Sequence, residues 1–122
     1  MNIQKITTHD VDIALITGTE EAITDVSSAM ALMMEAKYQT GAVRLAIDKK
    51  LVSANFFILS TGLAGEILQK FVNYHVKAAF YGDYTHYTSK PLRDFIYESN
   101  QGHDFFFVPT QEEALSALSS AK

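Results

Sequence analysis

Two hydrophobic periods alternate along the chain, and their order lays out the fold. Residues 3–8 have weak strand character. Val11, Ile13 and Leu15 alternate with Asp12, Ala14 and Ile16, so a second strand follows a turn at His9-Asp10. The two strands are joined too tightly for a crossover and are expected to form an antiparallel hairpin. Beyond Gly18-Thr19-Glu20 the period changes. Val26, Ala29, Met30, Met33 and Ala36 predict a helix over 25–38, capped by Thr24 or Asp25 and ended by Gly41. Ala42 to Ile47 reads as a strand, and residues 48–59 as the least regular segment. A helix is predicted over 61–74, with Leu63, Ile67, Phe71 and Tyr74 as its apolar stripe, widened by Ala64, Leu68 and Val72. Glu66 and Lys70 are a favourable i,i+4 pair on its polar side.

The same alternation repeats to the end. Val76 to Tyr81 is a strand. Ser89 caps a helix with Pro91 in its first turn, where the missing N–H costs nothing, and with Leu92, Phe95 and Ile96 facing inward. Asn100 and Gly102 stop it. Asp104 to Val108 is the last strand, and Thr110-Gln111-Glu112-Glu113 is a capping-box start for a final helix carrying Ala114, Leu115 and Leu118. The order β-β-α-β-α-β-α-β-α predicts one α/β domain over residues 1–122: a mostly parallel five-stranded sheet with an antiparallel first strand. Asp12, Arg44, Ala46, Lys77 and Ala79 are placed on the strand side away from the core. Helices are therefore expected mainly on one face, the other being partly exposed or meeting a partner.

Composition narrows the function more by exclusion than by suggestion. The net charge of −4 lacks the basic stripe of a nucleic-acid binder. No apolar run approaches the roughly 18 residues of a membrane span. The chain has no cysteine, which excludes disulfides and thiolate metal sites and fits a reducing compartment. No secretory signal follows Met1, so a cytoplasmic protein is expected. His9, His75, His86 and His103 have no pairing at i+2, i+3 or i+4, so neither a metal nor a cofactor is expected. The Gly-x-Ser-x-Gly nucleophile turn and the phosphate-binding Gly-rich loop are both missing. The expectation is a protein that is not an enzyme; a site using His86 and Asp83 is the enzymatic alternative.

Candidate binding chemistry gathers at one end. In a parallel sheet the loops 18–24, 48–60 and 82–89 share the carboxyl ends of the strands, where open α/β sheets bind ligands. The most polar and aromatic cluster lies there: Asp83, Tyr84, His86, Tyr87, Ser89, Lys90 and Arg93. Ser60, Thr61 and Gly62 open a helix, where free N–H groups favour a phosphate or other anion; plain N-capping by Ser60 or Thr61 uses the same residues. Gly62 and Gly65 suit either close ligand approach or tight helix–sheet packing. Met30, Met33 and Met34 suit either core or an adaptable binding face.

The segment Phe57-Ile58-Leu59-Ser60-Thr61-Gly62-Leu63 resembles the loop-to-helix motif of STAS domains, found in anti-sigma-factor antagonists. That motif reads Phe-x-Asp-Ser-Ser/Thr-Gly-Leu. The element order and the ending Thr110 to Leu115 resemble that family too. The likeness implies a regulatory module docking a protein partner or itself, with Ser60 as phosphoacceptor; Leu59 replaces the family's Asp before that serine. The runs Leu59 to Tyr74 and Tyr87 to Asn100 are more similar still to a small bacterial family described as a domain of unknown function, which implies fold and bacterial origin but no activity. A small-molecule-binding domain with its pocket at the carboxyl end of the sheet is the other expectation.

Overall fold

A computed structural model describes all residues, 1–122. The hairpin pairs β1 (Asn2–Thr8) with β2 (Val11–Thr17) antiparallel, from Asn2 opposite Thr17 to Thr8 opposite Val11. Its two-residue turn places both His9 (φ 50°) and Asp10 (φ 63°) in the left-handed region, as a type I′ turn matched to the twist of the strands requires. The chain continues through α1 (Val26–Thr40), β3 (Arg44–Asp48), α2 (Leu63–Asn73), β4 (Lys77–Tyr81), α3 (Lys90–Gln101), β5 (Phe105–Val108) and α4 (Gln111–Ser120). The strands lie in the order β1-β2-β3-β4-β5, with β2 to β5 parallel. The predicted α/β class and element order are both observed.

Each crossover adds its strand on the same side of the last, so right-handed connections leave α1, α2 and α3 on one face. Ala14, Ile16, Leu45, Ile47, Ala78, Phe80 and Phe107 meet them in the main core. The opposite face is not open: α4, with no further strand to join, returns across it. Ala114 and Leu118 pack there on Ile13, Leu15, Ala46, Ala79, Tyr81 and Phe106. The expected exposed or partner-covered second face is thus corrected. Ala46 and Ala79 are small because a helix seats on them. Arg44, at the start of β3, donates from Nη1 to the carbonyl oxygens of Leu118, in the last turn of α4, and of Ala121, just beyond it (2.9 Å for Ala121), so it satisfies part of the helix's free carbonyl end.

Register corrects one side assignment. Ala14 pairs with Leu45 and Leu45 with Ala78, so the even residues of β2 share a face with the odd residues of β3. Asp12 therefore points to the three-helix side, near the sheet rim, and not to the side of Ala46 and Ala79. The stripe on α2 is also narrower than predicted. Ala64, Ile67, Leu68 and Phe71 are buried, whereas Val72 and Tyr74 are exposed. Glu66 and Lys70 form no ion pair. On α1, Leu32 and Met33 are core, Met30 is half-buried and Met34 is exposed.

Candidate functional site

The loops after β2, β3 and β4 converge at the carboxyl end of the sheet, and local capping chemistry shapes each. The segment read as irregular is a series of three 3-10 turns, Lys49–Leu51, Ala54–Phe57 and Leu59–Thr61. Asp48 accepts from the Lys50 amide (2.9 Å) and Ser53 from the Asn55 amide (3.3 Å), as short polar side chains do where they compete with regular structure. The first two loops are stitched together by a parallel bridge between Ile23 and Val52, with the Ser53 amide donating to the Ile23 carbonyl at 2.8 Å. Leu51, Phe56 and Ile23 are buried beneath them, which fixes the backbone that carries the surface residues.

Ser60 is exposed in the third 3-10 turn and makes no hydrogen bond within the protein. Capping falls to Thr61, whose hydroxyl donates to the carbonyls of Ile58 (2.9 Å) and Asn55 (3.0 Å) and accepts from the Leu63 amide (3.2 Å). Gly62 is left-handed (φ 77°), which explains a glycine there. A Cβ at Gly65 would meet nothing within 4 Å, and one at Gly62 only the Glu66 carboxylate at 4.0 Å; neither marks tight helix–sheet packing. The predicted helix start at Thr61 moves to Leu63 for the same reason: the left-handed glycine separates the 3-10 turn from α2.

The loop after β4 is ordered by its own side chains. Asp83 accepts from the Thr85 hydroxyl (2.6 Å) and the Thr85 amide (2.9 Å); these bonds, helped by His86 and Lys49, hold its carboxyl below the usual range. His86 lies 4.0 Å from the Asp83 carboxylate and tilts against the Tyr87 ring, centroids 4.3 Å apart. Tyr84 turns inward and donates to the Phe80 carbonyl at 3.0 Å. Burial, reinforced by Tyr87 and Asp48, pushes its ionisation far above the ordinary phenol value.

Two hollows flank this loop. One, of about 460 Å³, is bounded by Asp48, Lys49, Phe57, Asp83, His86 and Tyr87, with Glu21 and Lys50 at its rim. The other, of about 560 Å³, runs from Ser60 past His86 and Tyr87 to Ser89. Phe57, His86 and Tyr87 are common to both. The structure therefore brings Ser60 and the Asp83–Tyr87 loop together. It does not bring Arg93 with them: Arg93 lines a separate hollow with Lys90, Asp94 and Tyr97. Tyr84 lines neither hollow; its ring packs against those of Phe57 and Tyr87, with centroids 5.7 and 6.1 Å away.

Sequence reasoning missed Lys49. Its Nζ donates to the Asp83 carbonyl (2.6 Å) and lies 5.4, 4.9 and 4.6 Å from the ring centroids of Phe57, Tyr84 and Tyr87. The pairing of Asp48 with Tyr81 places Lys49 beside Gly82, so strand register was the signal that could have found it. The rings continue the core: Phe80 stacks on Phe107 at 5.2 Å, Phe56 and Phe57 follow, and the series surfaces at Tyr87.

An α/β domain with one mixed sheet, three helices on one face, one on the other, and an aromatic-floored cleft at the carboxyl end is the class these features define. A family model described as a domain of unknown function, DUF4180, matches residues 8–118, and the chain belongs to that family. Searches of curated proteins and of solved structures returned no match. No three His, Asp or Glu side chains gather as metal ligands, and no helix is long and apolar enough to cross a membrane.

Proposed function

We propose that this protein acts by binding and not by catalysis, and that its ligand is a small molecule held at the carboxyl end of the sheet. One observation carries the reading: the cleft of about 460 Å³ into which loops from three successive parallel strands project Glu21, Asp48, Lys49, Asp83 and His86 over the ring of Phe57. Its size, its aromatic floor and its few converging polar groups are those of a small-ligand site, and its place is where parallel sheets bind ligands. Asp83 is engaged by Thr85, and both it and His86 are exposed, an arrangement that suits recognition better than proton transfer. The reading takes the protein as a cytoplasmic one, in keeping with its cysteine-free chain.

The second reading is a STAS-like bacterial regulatory module that docks a protein partner or a second copy and is switched at Ser60. The exposed Ser60 hydroxyl, without an internal partner, at the edge of the second hollow supports it. A phosphate added there would face the α2 N-terminus and change the charge of the rim. One set of measurements separates the two. Thermal-shift screening with nucleotides and metabolites is expected to yield a compound that adds roughly 2.7 kcal/mol at 100 times its Kd, and Tyr87→Ala is expected to abolish the shift. A flat screen, together with a partner captured by wild type and lost by Ser60→Asp, would overturn the small-molecule reading in favour of the regulatory one.

A further inference from the structure

Resting on the small-molecule reading, we propose that the cup formed by Phe57, Tyr84 and Tyr87 is a receptor for an organic cation, and that Lys49 is its resident competitor. Three ring centroids surround the Lys49 ammonium at 4.6 to 5.4 Å, a placement in which the negative ring faces attract positive charge. Acids border the cleft, yet Lys49 pairs with none of them within 4.0 Å; its head is held by the Asp83 carbonyl and the rings. Glu21 and Asp48 have no cationic partner either. With Lys49 swung out, Glu21, Asp48 and Asp83 outnumber Lys50 among the charged lining residues, so the vacated cup lies in a negative field.

Lys49 is the group a bound cation would displace from the rings. It opens a short 3-10 turn and is half-buried; its stem is packed over Gly82, where a Cβ would come within 2.7 Å of the Lys49 Cβ, so the movement required is of the ammonium end alone, away from the Asp83 carbonyl. The rings stay when the lysine goes: Phe57 is buried, and Tyr84 is anchored by its bond to Phe80. The fitting ligand class is an amine or quaternary ammonium compound small enough for about 460 Å³.

The test is titration of the full chain with choline and, separately, inorganic phosphate, followed by the Tyr84 and Tyr87 ring resonances. Choline is expected to bind Lys49→Ala about tenfold or more tightly than wild type, as loss of a competing cation–π contact predicts, and Tyr87→Ala in that background is expected to remove the binding. Lys49→Gln, which keeps most of the stem, serves if Lys49→Ala does not melt as a folded protein. Equal choline binding to wild type and both folded variants, or binding to none, overturns the proposal. Phosphate binding to wild type that disappears in Lys49→Ala also overturns it, by making the ammonium an anion receptor, and leaves the small-molecule cleft standing. If neither probe binds and the metabolite screen is flat, the cation proposal and the small-molecule reading fall together.

Discussion

Tyr84 shows how one residue can carry structural and binding duties together. Its hydroxyl is committed to the Phe80 carbonyl while its ring faces Lys49. Burial raises its ionisation, and burial does the same for Tyr81. An unfolded phenol ionises near 10. The folded state keeps these protons beyond that point, so their stabilisation is complete below about pH 10 and is lost as pH rises above it. Urea denaturation at about pH 8 and 11 is expected to show this loss, and Tyr84→Phe is expected to shrink it while costing about 1 kcal/mol at neutral pH for the missing hydrogen bond. Titration of all six tyrosines near pH 10 in the folded protein would contradict it. At this scale the sequence showed that the Tyr84–Tyr87 segment was chemically rich. It could not show that Tyr84 turns in while His86 and Asp83 stay out, because that choice depends on a carbonyl of the preceding strand.

Elements were read best where their ends carry their own chemistry. Asp25, Ser89 and Thr110 each accept from an amide three residues on, at Ser28 (2.8 Å), Leu92 (3.4 Å) and Glu113 (3.1 Å). The reciprocal capping box occurs at Asp25, whose own amide donates to the Ser28 hydroxyl at 3.1 Å; the box expected at Thr110 has only its first half, since Glu113 does not reach back to the Thr110 amide. Boundaries moved where a long-range contact took over. Asn100, which reads as a stop signal, is still helical, and its side chain donates to the Phe107 carbonyl (3.0 Å) and accepts from the Phe107 amide (2.7 Å). It thereby closes part of the outer edge of β5 as a neighbouring strand would. Asn100→Ala leaves both groups without their partner and is expected to cost about 1–3 kcal/mol. A lowered urea midpoint and faster exchange of the Phe107 amide would be the signature; unchanged exchange would show the edge to be closed by something else.

Across the whole molecule, the parallel strands are sealed on both faces by unequal layers: three helices against one, and α4 alone against the other. Leu118 is fully buried in that thinner layer. Leu118→Ala is expected to destabilise by about 2–5 kcal/mol, the range for a core leucine whose cavity cannot collapse. A loss well under 1 kcal/mol in equilibrium denaturation would mean that α4 is not integral to the fold. The alternating polar residues on β3 and β4 suggested an open face because Arg44 and Lys77 lie near the strand starts, where both reach the rim. Arg44 caps α4, and Lys77 donates to the His103 carbonyl at 2.8 Å and the Asp104 carboxylate at 3.1 Å.

The order of strands and helices, the hairpin, the capping side chains at Asp25, Ser89 and Thr110, and the end of the sheet where loops gather were determined by the sequence alone. Each depends on periodicity within one element or on a turn of a few residues, so neighbouring side chains suffice to specify it. Only the tertiary structure decided that α4 closes the second face, that Arg93 stands apart from Ser60, and that Lys49 reaches across to Asp83, 34 residues away, through a ring of aromatic faces. Those contacts follow from register between strands and from which way a side chain turns once its neighbours are packed, and no local pattern encodes either.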